Sequence, residues 1–216
     1  MILFGARRVT RLAPFFVSIN FGRIAYMRLA VIGPQNTGKS TFIQDFVKNF
    51  PHYVTPAETY RDVIKRKKLD INQKSSEHSQ KVIRDFLYNQ IVHNLEPNIL
   101  FDRCVIDNYV YSLALYEKGQ VSLEFLDETF NFAVKHLDSL DGIIFIPSAV
   151  SVKLVNDELR DIETKYIDKI NRFFIKTLFL LHKHKTIEVF VISGDRRERI
   201  KLARDIFHFI NYRLRL

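Results

Sequence analysis

The chain carries a single cysteine, Cys104, in 216 residues. One thiol excludes an internal disulfide and any zinc site built from several cysteines, and it suits a reducing compartment. A long apolar run is also missing. The densest stretch, Phe173–Leu181, is interrupted by Lys176 and falls well short of the roughly 20 apolar residues a spanning helix needs. No internal repeat or low-complexity linker divides the chain, so one domain is the economical reading. Acidic residues are absent from the first 26 positions, which hold Arg7, Arg8, Arg11 and Arg23. That composition fits an organellar transit peptide, a loosely packed tail, or translated sequence ahead of a start at Met27. Met27 immediately precedes the first strand-like run, which favours the last reading. The expected organisation is an extension over residues 1–26 and one domain over 27–216, cytoplasmic unless the extension targets an organelle.

What is present is an ordinary globular balance, 47% apolar and 26% charged, which excludes a wholly disordered chain. The formal charge of +9 suits an anionic substrate.

Short apolar runs alternate with helix-period segments. Arg28–Gly33 reads as a buried strand, followed by a helix over Lys39–Phe50 with Phe42, Ile43 and Phe46 on one side. A second strand is expected over His52–Thr55 and a helix over Glu58–Lys68. Ser75 or Ser76 caps the next helix, whose stripe includes Ile83, Leu87 and Ile91. Strands follow at Asn98–Asp102, Asp141–Pro147 and Ile187–Gly194. Helices are expected over Asp107–Tyr116, Ser122–Leu137, Thr164–Lys183 and Arg197–Ile210. Strands apolar throughout and alternating with helices predict a three-layer α/β fold, a parallel sheet covered on both faces.

Residues 33–40 read Gly-Pro-Gln-Asn-Thr-Gly-Lys-Ser, a full match to G-x-x-x-x-G-K-[ST] between a strand and a helix. Gly33 and Gly38 let the backbone curl, so that the N–H groups of Pro34-Gln35-Asn36-Thr37-Gly38 (proline excepted) face one anion. The helix N-terminus adds its free N–H groups and positive dipole end. Lys39 then reaches the β/γ-phosphates, the Ser40 hydroxyl is placed for Mg²⁺, and Thr41 can donate to the α-phosphate. The pattern predicts a P-loop NTPase fold binding ATP and Mg²⁺. An Asn-Lys-x-Asp base reader and an Asp-x-x-Gly switch are both absent, which turns the reading from a guanine switch to a small phosphotransferase.

Three segments are candidates for the remaining chemistry. Asp102 ends a strand at the carboxyl edge of the sheet, where open α/β folds keep their ligands. It can hold Mg²⁺, with Arg103 as a phosphate clamp and Asp107 and Tyr111 sharing a helical face; a salt-bridged strand end is the plainer alternative. Glu58 can take a proton from an acceptor hydroxyl as general base, with Arg61 three residues on to orient it, against the alternative of a surface pair. Arg160, in the polar stretch Asn156–Lys165, can close over the γ-phosphate, or simply begin a solvated helix. Lys65–Lys68 motivates an alternative acceptor, a nucleic-acid end or modified base. A non-catalytic, nucleotide-controlled interaction protein is the other alternative. Cys104 reads as a small buried apolar residue.

From Met27 to about Phe209 the chain resembles the P-loop kinase-like group that contains the NadR-type ribosylnicotinamide kinase domains, of AAA type. More distantly it is similar to deoxyribonucleoside and thymidylate kinases. The matching residues are GPQNTGKST, the E-x-x-R of Glu58–Arg61, FDRxxxDxxxY of Phe101–Tyr111, ELRD of Glu158–Asp161, and VFVISGDRRER. The resemblance implies an ATP-dependent kinase with a nucleoside- or nucleotide-like acceptor. It further implies that Asp102 and Arg103 handle metal and acceptor, that Arg160 meets phosphates, and that Gly194, Asp195 and Arg196 touch the base. Cys104 stands where thymidylate kinases carry a tyrosine after the Asp-Arg pair, and the lid has one clear arginine where many nucleotide kinases have several.

Overall fold

The computed structural model describes residues 27–148, 164–184 and 187–213. Four parallel strands form one sheet: β1 (Arg28–Ile32), β2 (Ile99–Asp102), β3 (Gly142–Phe145) and β4 (Glu188–Val191), in the order β2-β1-β3-β4. The helices are α1 (Lys39–Asn49), α2 (Tyr60–Lys67), α3 (Glu77–His93), α4 (Val105–Tyr116), α5 (Leu123–His136), α6 (Thr164–Leu181) and α7 (Arg196–Arg213). This is the α/β architecture the alternation predicts. Among the described residues no helix is long and apolar enough to cross a membrane.

The period of two along a strand sends alternate side chains to opposite faces. In β1, Ala30 and Ile32 enter a core with Phe101, Ile106, Phe145 and Phe174, so α4 and α6 cover that face. Leu29 and Val31 enter the other core with Phe42, Phe46, Ile200 and Phe207, so α1 and α7 cover the opposite face. Each such Val, Leu, Ile or Phe side chain stabilises the fold by about 1.5–3 kcal/mol on burial. A carboxylate at Ile32, 0% exposed, would remove one of these contributions and leave a buried charge.

Two expectations about strands need correction. Residues 52–55 do not form a strand. Val54 makes one isolated bridge to Ile99, donating to Asn98 O at 3.0 Å and accepting from Leu100 N at 2.9 Å. Pro51 and Pro56 flank it, and proline cannot continue a ladder. Tyr53 instead turns inward against the Phe46 ring at 5.1 Å. The second correction is β4, which is half-exposed along its length. It is an edge strand, and Val189 and Val191 stay open to solvent.

Local signals explain the helix starts. The Ser76 side chain accepts from Ser79 N at 3.2 Å and starts α3. Helix α2 begins at Tyr60, later than Glu58, because Thr59 caps it: the Asp62 carboxylate accepts from Thr59 N at 2.8 Å. Helix α1 has no side-chain cap, and its N-cap is Gly38 in the left-handed region. Its first N–H groups are therefore not taken by a capping side chain.

Candidate nucleotide and acceptor site

Residues 33–38 connect β1 to α1 across the carboxyl edge of the sheet. Gly33 has φ 142°, and a Cβ there would lie 2.2 Å from the Ile146 carbonyl oxygen. Only glycine fits, which explains the first position of the motif. Gly38, at φ 80°, makes the turn into α1. The Pro34 carbonyl accepts from Thr37 Oγ1 at 2.9 Å and from the Lys39 ammonium, which lies 3.4 Å from Thr37 Oγ1. Lys39 thus folds back over its own loop. Burial, and then the nearby Arg103, hold its pKa well below the ordinary 10.5, with Asp107 and Asp102 pulling the other way.

A tyrosine on α4 braces this loop. Tyr111 OH accepts from Gln35 N at 3.0 Å and donates to Gln35 Oε1 at 2.6 Å. Burial pushes the Tyr111 phenol up to about 12, so it stays a donor at neutral pH.

The acceptor side starts where β2 ends. Parallel pairing sets Asp102 beside Val31 of β1, and the Asp102 carboxylate acts electrostatically on Lys39. The next residue, Arg103, has φ 79°, a costly conformation for a side chain of that size. The bend turns its guanidinium inward. Nη1 donates to Asp107 Oδ1 at 2.7 Å, and the group lies over the Tyr60 ring at 4.7 Å and the Tyr111 ring at 5.3 Å. Asp107 also accepts from Cys104 N at 3.1 Å, capping α4. Desolvation raises the Asp107 pKa against the pull of Arg103 and Lys39. From α2, Arg61 reaches Ser40 Oγ at 3.4 Å. The Nε atoms of Arg61 and Arg103 are both buried without a hydrogen-bond partner, a costly state that an oxygen-rich ligand would relieve.

One cavity joins these groups. Its lining includes phosphate-loop residues, Arg61, Arg103 and Asp107, together with Ile64, Ile83 and Leu87, which form one apolar cluster with Ile71 packed against it. Gln80 and Asn108 line it too. Sequence reasoning missed both. Their signal was a polar residue on an otherwise apolar face: Gln80 precedes Ile83 and Leu87 at helical spacing, and Asn108 lies in a helix that is buried almost throughout.

The segment after β4 is arranged around α7. Gly194 has φ 99°. The Asp195 carboxylate caps α7, accepting from Arg197 N at 2.8 Å and Glu198 N at 2.9 Å. Arg196 forms a two-point pair with Asp45 of α1, at 2.5 and 2.7 Å. The side chains of Asp195 and Arg196 are therefore engaged within the protein. The residue that enters the site is one that sequence reasoning missed, Arg199, 4% exposed. It donates from Nη1 to Thr37 O at 2.6 Å and from Nε to Gly194 O at 2.9 Å. Its position four residues before the buried Ala203 was the available signal.

Of the expected residues, the structure brings together Gly33, Pro34, Gln35, Asn36, Thr37, Gly38, Lys39, Ser40, Arg61, Asp102, Arg103, Asp107 and Tyr111. Thr41 is exposed on α1. Glu58 is not brought in. It precedes the cap of α2, so it shares no helical face with Arg61. It pairs with Arg66 and lines a separate cavity with Pro56, Phe86 and Gln90. Arg160 and the segment around it lie outside the described residues, as do residues 1–26. Cys104 is buried and free, and burial pushes its thiol pKa up. Lys65–Lys68 is an exposed surface at the C-terminal end of α2, where positive charge complements the helix dipole.

Among the described residues no cluster of three or more His, Cys, Asp or Glu could hold a metal unaided. Ser40 and Asp102 supply hard oxygen donors, one hydroxyl and one carboxylate. That set fits Mg²⁺, which takes one or two protein oxygens and completes its shell with phosphates and water.

Several solved structures share the fold. A NadR protein in complex with NR superposes with TM-score 0.59 at 16% identity, over 81% of this chain and 49% of that one. The chain thus spans about half the length of that protein. Deoxyadenosine kinase from M. mycoides, with dCMP and dCDP bound, gives 0.65 at 20% identity, covering 85% of this chain and 100% of that one. Thymidylate kinase from Candida albicans gives 0.56 at 17% identity, covering 86% and 92%. No curated protein matches the sequence. Residues 28–199 match the family described as an AAA domain. The chain belongs to that AAA-domain family, and its architecture is a P-loop kinase-like α/β fold.

Proposed function

We propose that the protein is an ATP-binding, Mg²⁺-dependent kinase that transfers the γ-phosphoryl group to a nucleoside- or nucleotide-like acceptor. One observation carries the reading. The phosphate loop and the cations Lys39, Arg61 and Arg103 line one cavity together with the aliphatic side chains of Ile64, Ile71, Ile83 and Leu87. A polyphosphate suits the loop and the cations, and the flat apolar body of a base suits the aliphatic side chains.

The chain's own residues do most of the positioning. The N–H groups of residues 36–39 cradle the β-phosphate, and Lys39 leaves the Pro34 carbonyl to meet the β/γ-oxygens. Arg103 and Arg61 offer their buried Nε donors to oxygens of the acceptor or the moving phosphoryl group. Ser40 and Asp102 would hold Mg²⁺, which when bound neutralises charge on the phosphates. Arg160 keeps its expected role of meeting the γ-phosphate. Phosphoryl transfer asks for little covalent help, so alignment and charge balance supply the rate. Glu58, engaged with Arg66, has no part in this scheme.

Radiolabelled ATP incubated with the protein, Mg²⁺ and a panel of nucleosides, nucleotides and DNA oligomers tests the proposal. Label in a nucleoside or nucleotide product supports it. Transfer to DNA ends alone, or tight ATP binding with no transfer to any acceptor, rejects it.

A further inference from the structure

Among the residues that line the cavity, Asn108 carries a polar acceptor that the fold leaves over. Asn108, 2% exposed, donates from Nδ2 twice to Gln80: to the main-chain oxygen at 2.8 Å and to Oε1 at 2.9 Å. Gln80 in turn donates from Nε2 to Ser75 Oγ at 2.8 Å. This chain fixes both amides. Turning Asn108 over would set its oxygen against two other oxygens, and turning Gln80 over would set two NH₂ groups against each other. Asn108 Oδ1 is therefore held in a known orientation, and it is buried without a partner. An acceptor left so is costly unless a ligand donates to it.

Charge narrows the ligand further. Lys39, Arg61 and Arg103 line the same cavity. The lining carboxylate, Asp107, is committed to Arg103 and the Cys104 N–H. Aromatic faces could hold a cation, but Arg103 already lies over both Tyr60 and Tyr111, and Arg61 lies 5.5 Å from the Tyr60 centroid. The remaining walls are Ile64, Ile71, Ile83 and Leu87, with Asn72 beside them. A fixed positive charge there would lose water and gain no counter-charge from the described residues.

Resting on the reading of this cavity as the acceptor site, we infer that its occupant carries an uncharged base that presents an N–H donor to Asn108. A base with a permanent positive charge, such as the pyridinium of nicotinamide riboside, is excluded by the same wall.

Calorimetric titration of the full chain with adenosine, cytidine and nicotinamide riboside tests this without requiring turnover. At least one neutral nucleoside should bind about tenfold or more tightly than nicotinamide riboside. Asn108→Leu should weaken that nucleoside by about tenfold, the effect of one buried hydrogen bond, while tripolyphosphate titration verifies that the loop is intact. Asn108→Asp should narrow the preference by placing a carboxylate beside the base. Nicotinamide riboside binding as tightly as the neutral nucleosides would overturn the inference. So would the absence of binding by all three, or an unchanged nucleoside affinity in a folded Asn108→Leu protein. Nucleoside binding with no phosphate transfer supports the inference while defeating the kinase reading.

Discussion

The guanidinium of Arg199 donates to the Thr37 carbonyl at 2.6 Å across 162 residues of sequence. The same group holds Gly194 O at 2.9 Å. One side chain therefore ties the phosphate loop to the turn that follows β4. Cutting this tie frees one buried and one half-buried carbonyl, and a hydrogen bond from a charged donor is worth about 1.5–3 kcal/mol. Arg199→Met should lower the melting temperature and weaken ATP by roughly tenfold or more. Arg199→Lys should recover part of the loss, since one ammonium cannot span both carbonyls. Thermal melts and ATP titrations check both. An unaltered ATP affinity in the methionine variant would show that the two loops are independent.

Tyr111 braces the phosphate loop from the opposite side. Its hydroxyl serves Gln35 as both donor and acceptor. Tyr111→Phe keeps the ring under Arg103 but strands the buried Gln35 N–H, a cost of about 1–3 kcal/mol. ATP binding should weaken by about tenfold, with little change in the far-ultraviolet circular dichroism spectrum. Equal affinity in the phenylalanine variant would remove the brace from the account.

The lowered pKa of Lys39 has a consequence for pH. In the free protein, burial and Arg103 depress it from 10.5. A bound triphosphate supplies negative charge and raises it again. Between the two values, binding must take up a proton, and ATP affinity must fall as pH climbs through the free-protein value. Calorimetry on the alkaline side of neutrality, in buffers of different ionisation enthalpy, should show proton uptake. Heats independent of the buffer would contradict the depressed lysine.

Glu58 separates sequence reasoning from the structure. Its spacing to Arg61 suggested a general base on one helical face. The cap at Thr59 starts α2 after it, and its carboxylate meets Arg66. Glu58→Gln should leave phosphoryl transfer within about twofold of the wild type, since an exposed pair contributes little. A loss of about a hundredfold or more, the scale of general-base catalysis, would restore it as the base.

The legible parts of the site were those written in backbone chemistry. Gly33, Gly38 and Lys39 form a contiguous motif because one turn of main chain must wrap one anion, and that requirement is local. The parallel sheet and its two covered faces followed from apolar runs alternating with helical stripes; the strand order did not. Arg199, Gln80 and Asn108 were not legible as site residues. Each depends on packing between elements distant in sequence, and a polar residue on an apolar stripe does not announce its partner. The failed strand at residues 52–55 has the same origin: its apolar content was real, but Tyr53 spends it on a ring cluster with Phe46 and Phe207.

Calorimetric titration of Mg²⁺-ATP into the wild type and Lys39→Ala tests the central claim most directly. The account predicts saturable heat with the wild type and its loss in the folded variant. A silent wild-type titration, or a variant that binds as tightly as its parent, would contradict it.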